Sequence, residues 1–238
     1  WHRAGWNVTA FDWRGQGLST GEQAPPNPES FDDMVEDLAD FMADWRSGLD
    51  GPLVAVGHSM GGHLLLRTLV DKSTPLDAAI LVAPMVLVNS APVPDWLAPN
   101  FAEMMCLLGL RSQPMWKTAK ALTRPGSQRQ GLLTGCRERY EDELHWWREQ
   151  PELRMGAPTW GWMRAAFRSS AAAFTPEKLK RVELPVLLLA LVGGCSKPAE
   201  VPSTVVAQDA AALPVHVAVL EPAAFSDTLG LYGRVEAN

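Results

Sequence analysis

The sequence predicts an α/β protein, a parallel sheet with flanking helices, and three observations carry that expectation. Short apolar runs at residues 52–56, 78–83 and 185–190 read as core strands, because each is unbroken and rich in aliphatic side chains. Amphipathic helical stretches alternate with them, so that strand, helix and strand follow one another at crossover spacing. A serine flanked by glycines, Gly57-His58-Ser59-Met60-Gly61, sits between the first of these strands and the helix after it.

The elements follow in chain order. Residues 1–5 read as the tail of a helix that ends at Gly5, where a left-handed cap suits glycine. Residues 6–11 are β-prone and lead into Asp12-Trp13-Arg14-Gly15-Gln16-Gly17-Leu18-Ser19, whose glycines mark a tight loop that Pro25, Pro26 and Pro28 prolong. Ser30 is expected to cap a helix that places Phe31, Met34, Val35, Leu38, Phe41, Met42 and Trp45 on one face. Asp32, Asp33, Glu36, Asp37 and Asp40 fall on the other face, which reads as a solvated surface rather than a metal site.

At residues 52–62 strand, sharp turn and helix meet. A serine held there has its hydroxyl pushed out beyond the sheet, which is what a nucleophile needs. Gly57 and Gly61 are expected to let strand and helix backbones approach where a Cβ would intervene. The helix at 60–70 points its N-terminus at Ser59, and its first N–H groups suit a developing oxyanion. From Met85 to about Thr175 proline punctuates short helical pieces (positions 92, 94, 99, 114, 125, 151 and 158), the pattern of a helical insertion placed like a lid. A short helix at 176–180 precedes the strand at 185–190. The domain division expected is therefore core at 1–84, cap at 85–175, core again at 176–190 and a divergent tail at 191–238.

Composition narrows the function. Hydrophobic residues make up 47% and charged residues 20%, ordinary for a globular chain. A net charge of −6 supplies no basic patch, so no nucleic-acid partner is expected. Cys106, Cys136 and Cys195 are too scattered for a disulfide framework or a zinc site, and the five histidines show no paired ligand spacing. No metal or other cofactor is implied. Of ten tryptophans, six fall between Trp96 and Trp162, so the insertion is unusually aromatic. No apolar run reaches the roughly 18 residues of a membrane span. The first residues lack a start methionine and a signal-peptide shape, which reads as the interior of a longer chain and gives a cytoplasmic expectation.

Taken together, the loop at 11–19, the turn Gly57-His58-Ser59-Met60-Gly61-Gly62 and Leu81-Val82-Ala83-Pro84-Met85 resemble α/β-hydrolases. More narrowly they are similar to the monoacylglycerol lipase and lysophospholipase branch, over about residues 1–190. The resemblance implies an α/β-hydrolase fold with a helical cap, Ser59 as nucleophile toward an ester carbonyl, and the Met60 backbone N–H as an oxyanion donor. It implies a small lipid ester as substrate, a lysophospholipid or monoacylglycerol, with cap tryptophans and methionines either lining an acyl-chain tunnel or simply packing cap on core.

The chain also departs from that pattern. The family's early strands and second oxyanion loop would lie upstream of residue 1, which makes the expected fold incomplete and the sheet edge unpaired. Relatives carry the triad acid in a Gly-x-Asp turn after the strand matching 185–190, whereas this chain reads Gly193-Gly194-Cys195-Ser196. No Gly-His turn follows. His216, the only histidine after residue 145, is the one candidate base, set against its plainer reading as a strand side chain. His58 and His63 belong to the turn and its helix and read as packing residues.

The tail has its own resemblance. Lys178, Lys180 and Arg181, an apolar run, then Gly193-Gly194-Cys195 resemble a bacterial lipoprotein signal. Residues 217–222 and 232–237 are similar to the first strands of periplasmic adaptor subunits of efflux pumps. This suggests a junction within 185–190 and a β-rich or disordered tail, with membrane association expected only if Cys195 is lipidated. Three readings stay open: a serine ester hydrolase of lipid monoesters, impaired in this chain; a catalytically silent hydrolase-like chimera or fragment; and an envelope lipoprotein or efflux-adaptor fragment.

Overall fold

The computed structural model describes residues 2–17, 19, 30–88, 90, 92–115, 128–153, 157–190 and 215–219. Among these residues four parallel strands form one sheet in the order β1-β2-β3-β4: β1 Val54–His58, β2 Ala78–Val82, β3 Val186–Ala190 and β4 Val215–Val219. Register runs Val54↔Ala78 to His58↔Val82, Ala79↔Val186 to Val82↔Leu189, and Val186↔Val215 to Ala190↔Val219. The parallel α/β architecture expected from the alternating runs is the one observed.

The chain gathers into two compact units. One comprises residues 30–91 and 166–226 and holds the sheet; the other comprises residues 1–29, 92–165 and 227–238. In the sheet unit, α1 (Asp32–Ser47) and α2 (Met60–Asp71) pack on one another, and the short α7 (Pro176–Leu179) lies against α2. Phe31, Met34, Val35, Leu38 and Met42 are buried, the apolar stripe read from the sequence. The acidic side of α1 faces outward, and Asp32 and Glu36 meet Arg67 of α2 and Lys72 just after it in ion pairs. A third pair, Lys178–Asp71 at 3.3 Å, ties α7 to the end of α2.

Three local expectations need correction. Residues 6–11, β-prone in sequence, form no strand; β propensity alone does not make one without backbone pairing to a neighbouring strand. Helix α1 begins at Asp32 with Phe31 at the cap position, one residue later than expected, although Ser30 Oγ still accepts from the Asp32 N–H at 3.1 Å. Strand β1 lies two residues nearer the serine than the apolar run suggested, and it is not buried throughout: Val56 is 54% exposed. The reason is position, since β1 is the edge strand of the sheet among the described residues.

The second unit is helical. It contains α3 (Ala98–Leu107), α4 (Gln128–Leu133), α5 (Arg137–Glu149) and the first turns of α6 (Trp160–Ala173). The start of α6 is held by backbone: a bridge joins Pro114 and Thr159, and Met115, Trp160 and Gly161 donate to Pro158, Gln113 and Arg111 carbonyls at 2.9, 3.2 and 2.9 Å. Phe101 of α3 meets Trp160 edge-on at 5.3 Å, and Arg164 pairs with Glu103 at 3.5 Å. In the loop that begins at Asp12, Gly17 takes a positive φ of 54°, and a Cβ there would run into the Asp12 carboxylate. Among the described residues no helix is long and apolar enough to cross a membrane.

The tail lies mostly outside the described residues. That includes Gly193-Gly194-Cys195 of the lipoprotein-like stretch, whose earlier part falls on α7 and β3, and the adaptor-like residues 220–222 and 232–237. The exception is β4, which joins the sheet as its fourth parallel strand.

Candidate active site

The candidate site is built on the passage from β1 to α2. Ser59 follows the last residue of β1 and caps α2 with φ 52° and ψ −116°, a backbone conformation that L-residues avoid. It holds there because three backbone hydrogen bonds converge on it. The Ser59 N–H donates to the Val82 carbonyl at 3.0 Å, and the Ser59 carbonyl accepts from the N–H groups of His63 and Met85, both at 3.0 Å. The residue itself is exposed.

Close approach explains the glycines, though not in the way the sequence suggested. A Cβ on Gly57 would lie 2.6 Å from the Gly61 carbonyl oxygen and 2.8 Å from Gly62 Cα, so only glycine fits. Gly61 has open space at its own Cβ position; what crowds Gly57 is the Gly61 backbone. The second constrained position is Gly62, where a Cβ would lie 3.0 Å from the Gly57 carbonyl oxygen and from Pro84 Cα. The sequence signal for it was the doubled glycine. Beyond β2, Ala83 also takes a positive φ, 42°, while its N–H donates to the Leu189 carbonyl at 2.7 Å. Two strained residues thus face each other across the ends of adjacent strands.

Met60, the expected oxyanion donor, is the first residue of α2. N–H groups of a first helical turn have no acceptor within the helix and sit at its positive end. An exposed hydroxyl next to such donors is the arrangement acyl transfer uses.

The histidines take separate places. His58 ends β1 and is exposed. His145 lies on α5, edge-on to Trp146 at 5.4 Å. His216 lies on β4 opposite Leu187, a strand position as its plainer reading had it. His63 is fully buried in α2 between the rings of Phe31 and Phe174, at 5.5 and 5.0 Å. Its Nδ1 lies 2.8 Å from the Met85 carbonyl oxygen and its Nε2 2.7 Å from Ser169 Oγ. Ser169 comes from α6, more than a hundred residues away, and no local pattern in the sequence announces it.

Burial holds the His63 imidazole below the ordinary histidine range, with the Met85 carbonyl pulling upward and the Arg67 guanidinium adding to the depression. The unfolded chain therefore binds a proton at this residue more readily than the folded chain. Its stabilising contribution is complete above about pH 6.5 and is lost as pH falls below that value toward the folded pKa. Urea unfolding at about pH 7 and about pH 5.5 should show lower stability at the acid end, and the drop should be smaller in His63→Asn. An equal drop in both proteins would contradict this.

Comparison with known proteins adds the family. Residues 1–194 match the family described as serine aminopeptidase, S33. Lysophospholipase L2 of Escherichia coli (strain K12) is 30% identical over 174 residues, covering 67% of this chain and 48% of that protein. This chain thus spans about half the length of that curated relative. Among solved structures, the monoacylglycerol lipase of Paleococcus ferrophilus superposes with a TM-score of 0.50 at 20% identity, covering 76% of this chain and 60% of the other. A soluble variant of monoglyceride lipase from Saccharomyces cerevisiae does so with a TM-score of 0.50 at 14% identity, covering 75% and 56%. At those identities the structures show the α/β-hydrolase fold. With the match spanning most of its length and the strand–serine–helix turn in place, the chain belongs to the serine aminopeptidase, S33, family of α/β-hydrolases.

Proposed function

We propose that this chain carries the nucleophile half of a serine ester hydrolase acting on lipid monoesters, a monoacylglycerol or a lysophospholipid. The observation that carries the reading is Ser59 at φ 52° between a parallel strand and a helix N-terminus. Ser59 Oγ would form a bond to the ester carbonyl carbon while its proton passes to a histidine base. The alcohol leaves, and water then releases the acid from the acyl-enzyme. The Met60 N–H would take the developing oxyanion. The lipid substrate class is supported by what the similar proteins are named for, and by Trp96, Leu107 and Leu108 around α3, which present apolar side chains to solvent.

A second reading is that Ser59 is inherited but idle. It is favoured by the engagement of both His63 nitrogens, which removes the nearest ring on α2 as a base. It is favoured too by the stretch Gly193-Gly194-Cys195-Ser196, which has no aspartate where the resemblance implies a Gly-x-Asp turn. His216 is then the histidine to test. Fatty-acid release from monoacylglycerol and from lysophosphatidylcholine separates the two readings. Hydrolysis should be lost by at least about a thousandfold in Ser59→Ala. A rate in Ser59→Ala equal to that of the unmodified chain would overturn the proposal. A further loss in His216→Ala would assign the base.

A further inference from the structure

We infer that His63 is the positioning residue of the serine turn: a neutral imidazole, protonated on Nδ1, that clamps the segment after β2 onto the Ser59 carbonyl. Proton accounting sets the direction of every bond in the chain. The Met85 carbonyl can only accept, so His63 Nδ1 donates to it at 2.8 Å. The Arg67 guanidinium can only donate, and its Nη1 lies 2.9 Å from Ser169 Oγ. The ring is fully buried beside that cation and stays neutral, so with Nδ1 protonated its Nε2 is bare and accepts from the Ser169 hydroxyl at 2.7 Å.

On the other side of Met85, its N–H donates to the Ser59 carbonyl at 3.0 Å, and the His63 N–H donates to that same oxygen at 3.0 Å. Residue 63 thus touches Ser59 twice, once through its backbone and once through Met85. A positive φ at a serine persists only where surrounding bonds over-determine it. The ring supplies one of those bonds. Phe31 and Phe174 meet it edge-on, at 87° and 78°, and fix its plane, so that its donor cannot turn away from Met85. Arg67 is in turn anchored by its ion pair with Asp32 and by Asp71 at 3.2 Å. The order runs from α1, through α2 and α6, to the serine.

The inference rests on the proposed nucleophile only for its catalytic consequence, and two substitutions test it. Asparagine places its amide nitrogen near the position of Nδ1, so His63→Asn keeps a donor for the Met85 carbonyl. Glutamine reaches toward the position of Nε2, so His63→Gln keeps a partner for Ser169 and leaves Met85 without its donor. Both lose the ring and its aromatic contacts alike. Amide hydrogen exchange at Met85 and His63 should be about tenfold faster in His63→Gln than in His63→Asn, the effect of one ordered hydrogen bond. Long-range ¹⁵N correlation on the unmodified chain should show a protonated Nδ1 and a bare Nε2. Equal exchange in the two variants, or the opposite tautomer, overturns the inference. Where Ser59 reacts with a fluorophosphonate, its rate should follow the same order, Asn above Gln. Where it does not react, the nucleophile reading fails, and exchange and tautomer still decide the role of His63.

Discussion

Gly57→Ala is expected to destabilise the sheet unit by about 3–5 kcal/mol, enough to leave much of the protein unfolded at ambient temperature. The added Cβ would meet backbone atoms at 2.6 to 2.8 Å, from Gly61 and Gly62, and neither can rotate out of the way as a side chain could. Relief requires the start of α2 to move off β1, and that movement would break the bonds that hold Ser59. Gly61→Ala is the matched control: its Cβ enters open space within a helix, where alanine is favoured over glycine by up to about 1 kcal/mol. Chemical denaturation of the two variants side by side checks the point. A Gly61→Ala protein as unstable as Gly57→Ala would mean that the turn is packed differently.

Phe31→Ala should cost a similar amount, about 3–5 kcal/mol. Phe31 is fully buried at the start of α1, and its ring packs edge-on against His63. The cavity would open beside the residue that holds Met85, so the loss should reach beyond stability. At temperatures where the variant remains folded, amide exchange at Met85 should be faster than in the parent. A Phe31→Ala protein with a thermal midpoint within a degree or two of the parent would contradict the packing described here.

Much of the sheet unit was legible because its signals are local. The apolar run of β2, the helical stripe of α1 from Phe31 to Met42 and the serine between glycines each declare themselves within a few residues. What stayed hidden depends on partners distant in sequence. Val56 belongs to an apolar run, yet it is exposed because β1 is an edge strand among the described residues, a property of sheet order rather than of the run. Residues 6–11 have strand composition and no strand pairing, for the complementary reason. His63 could be expected to face a neighbour, but its partners Met85 and Ser169 lie 22 and 106 residues away. Gly61 looked like the second spacing glycine because the motif names it, whereas the approach of Pro84 makes Gly62 that position. Backbone strain at Ser59 was foreseeable from the turn; the matching strain at Ala83 was not, since it follows from how β2 ends against β3.

Ser59, held in a strained turn at the head of α2, is proposed as a reactive nucleophile. Fluorophosphonate labelling of the purified chain, located by peptide mass mapping and repeated on Ser59→Ala, tests it most directly. One covalent adduct is expected on Ser59, absent from the variant. A folded chain that takes up no label, or one labelled equally after Ser59→Ala, would contradict it.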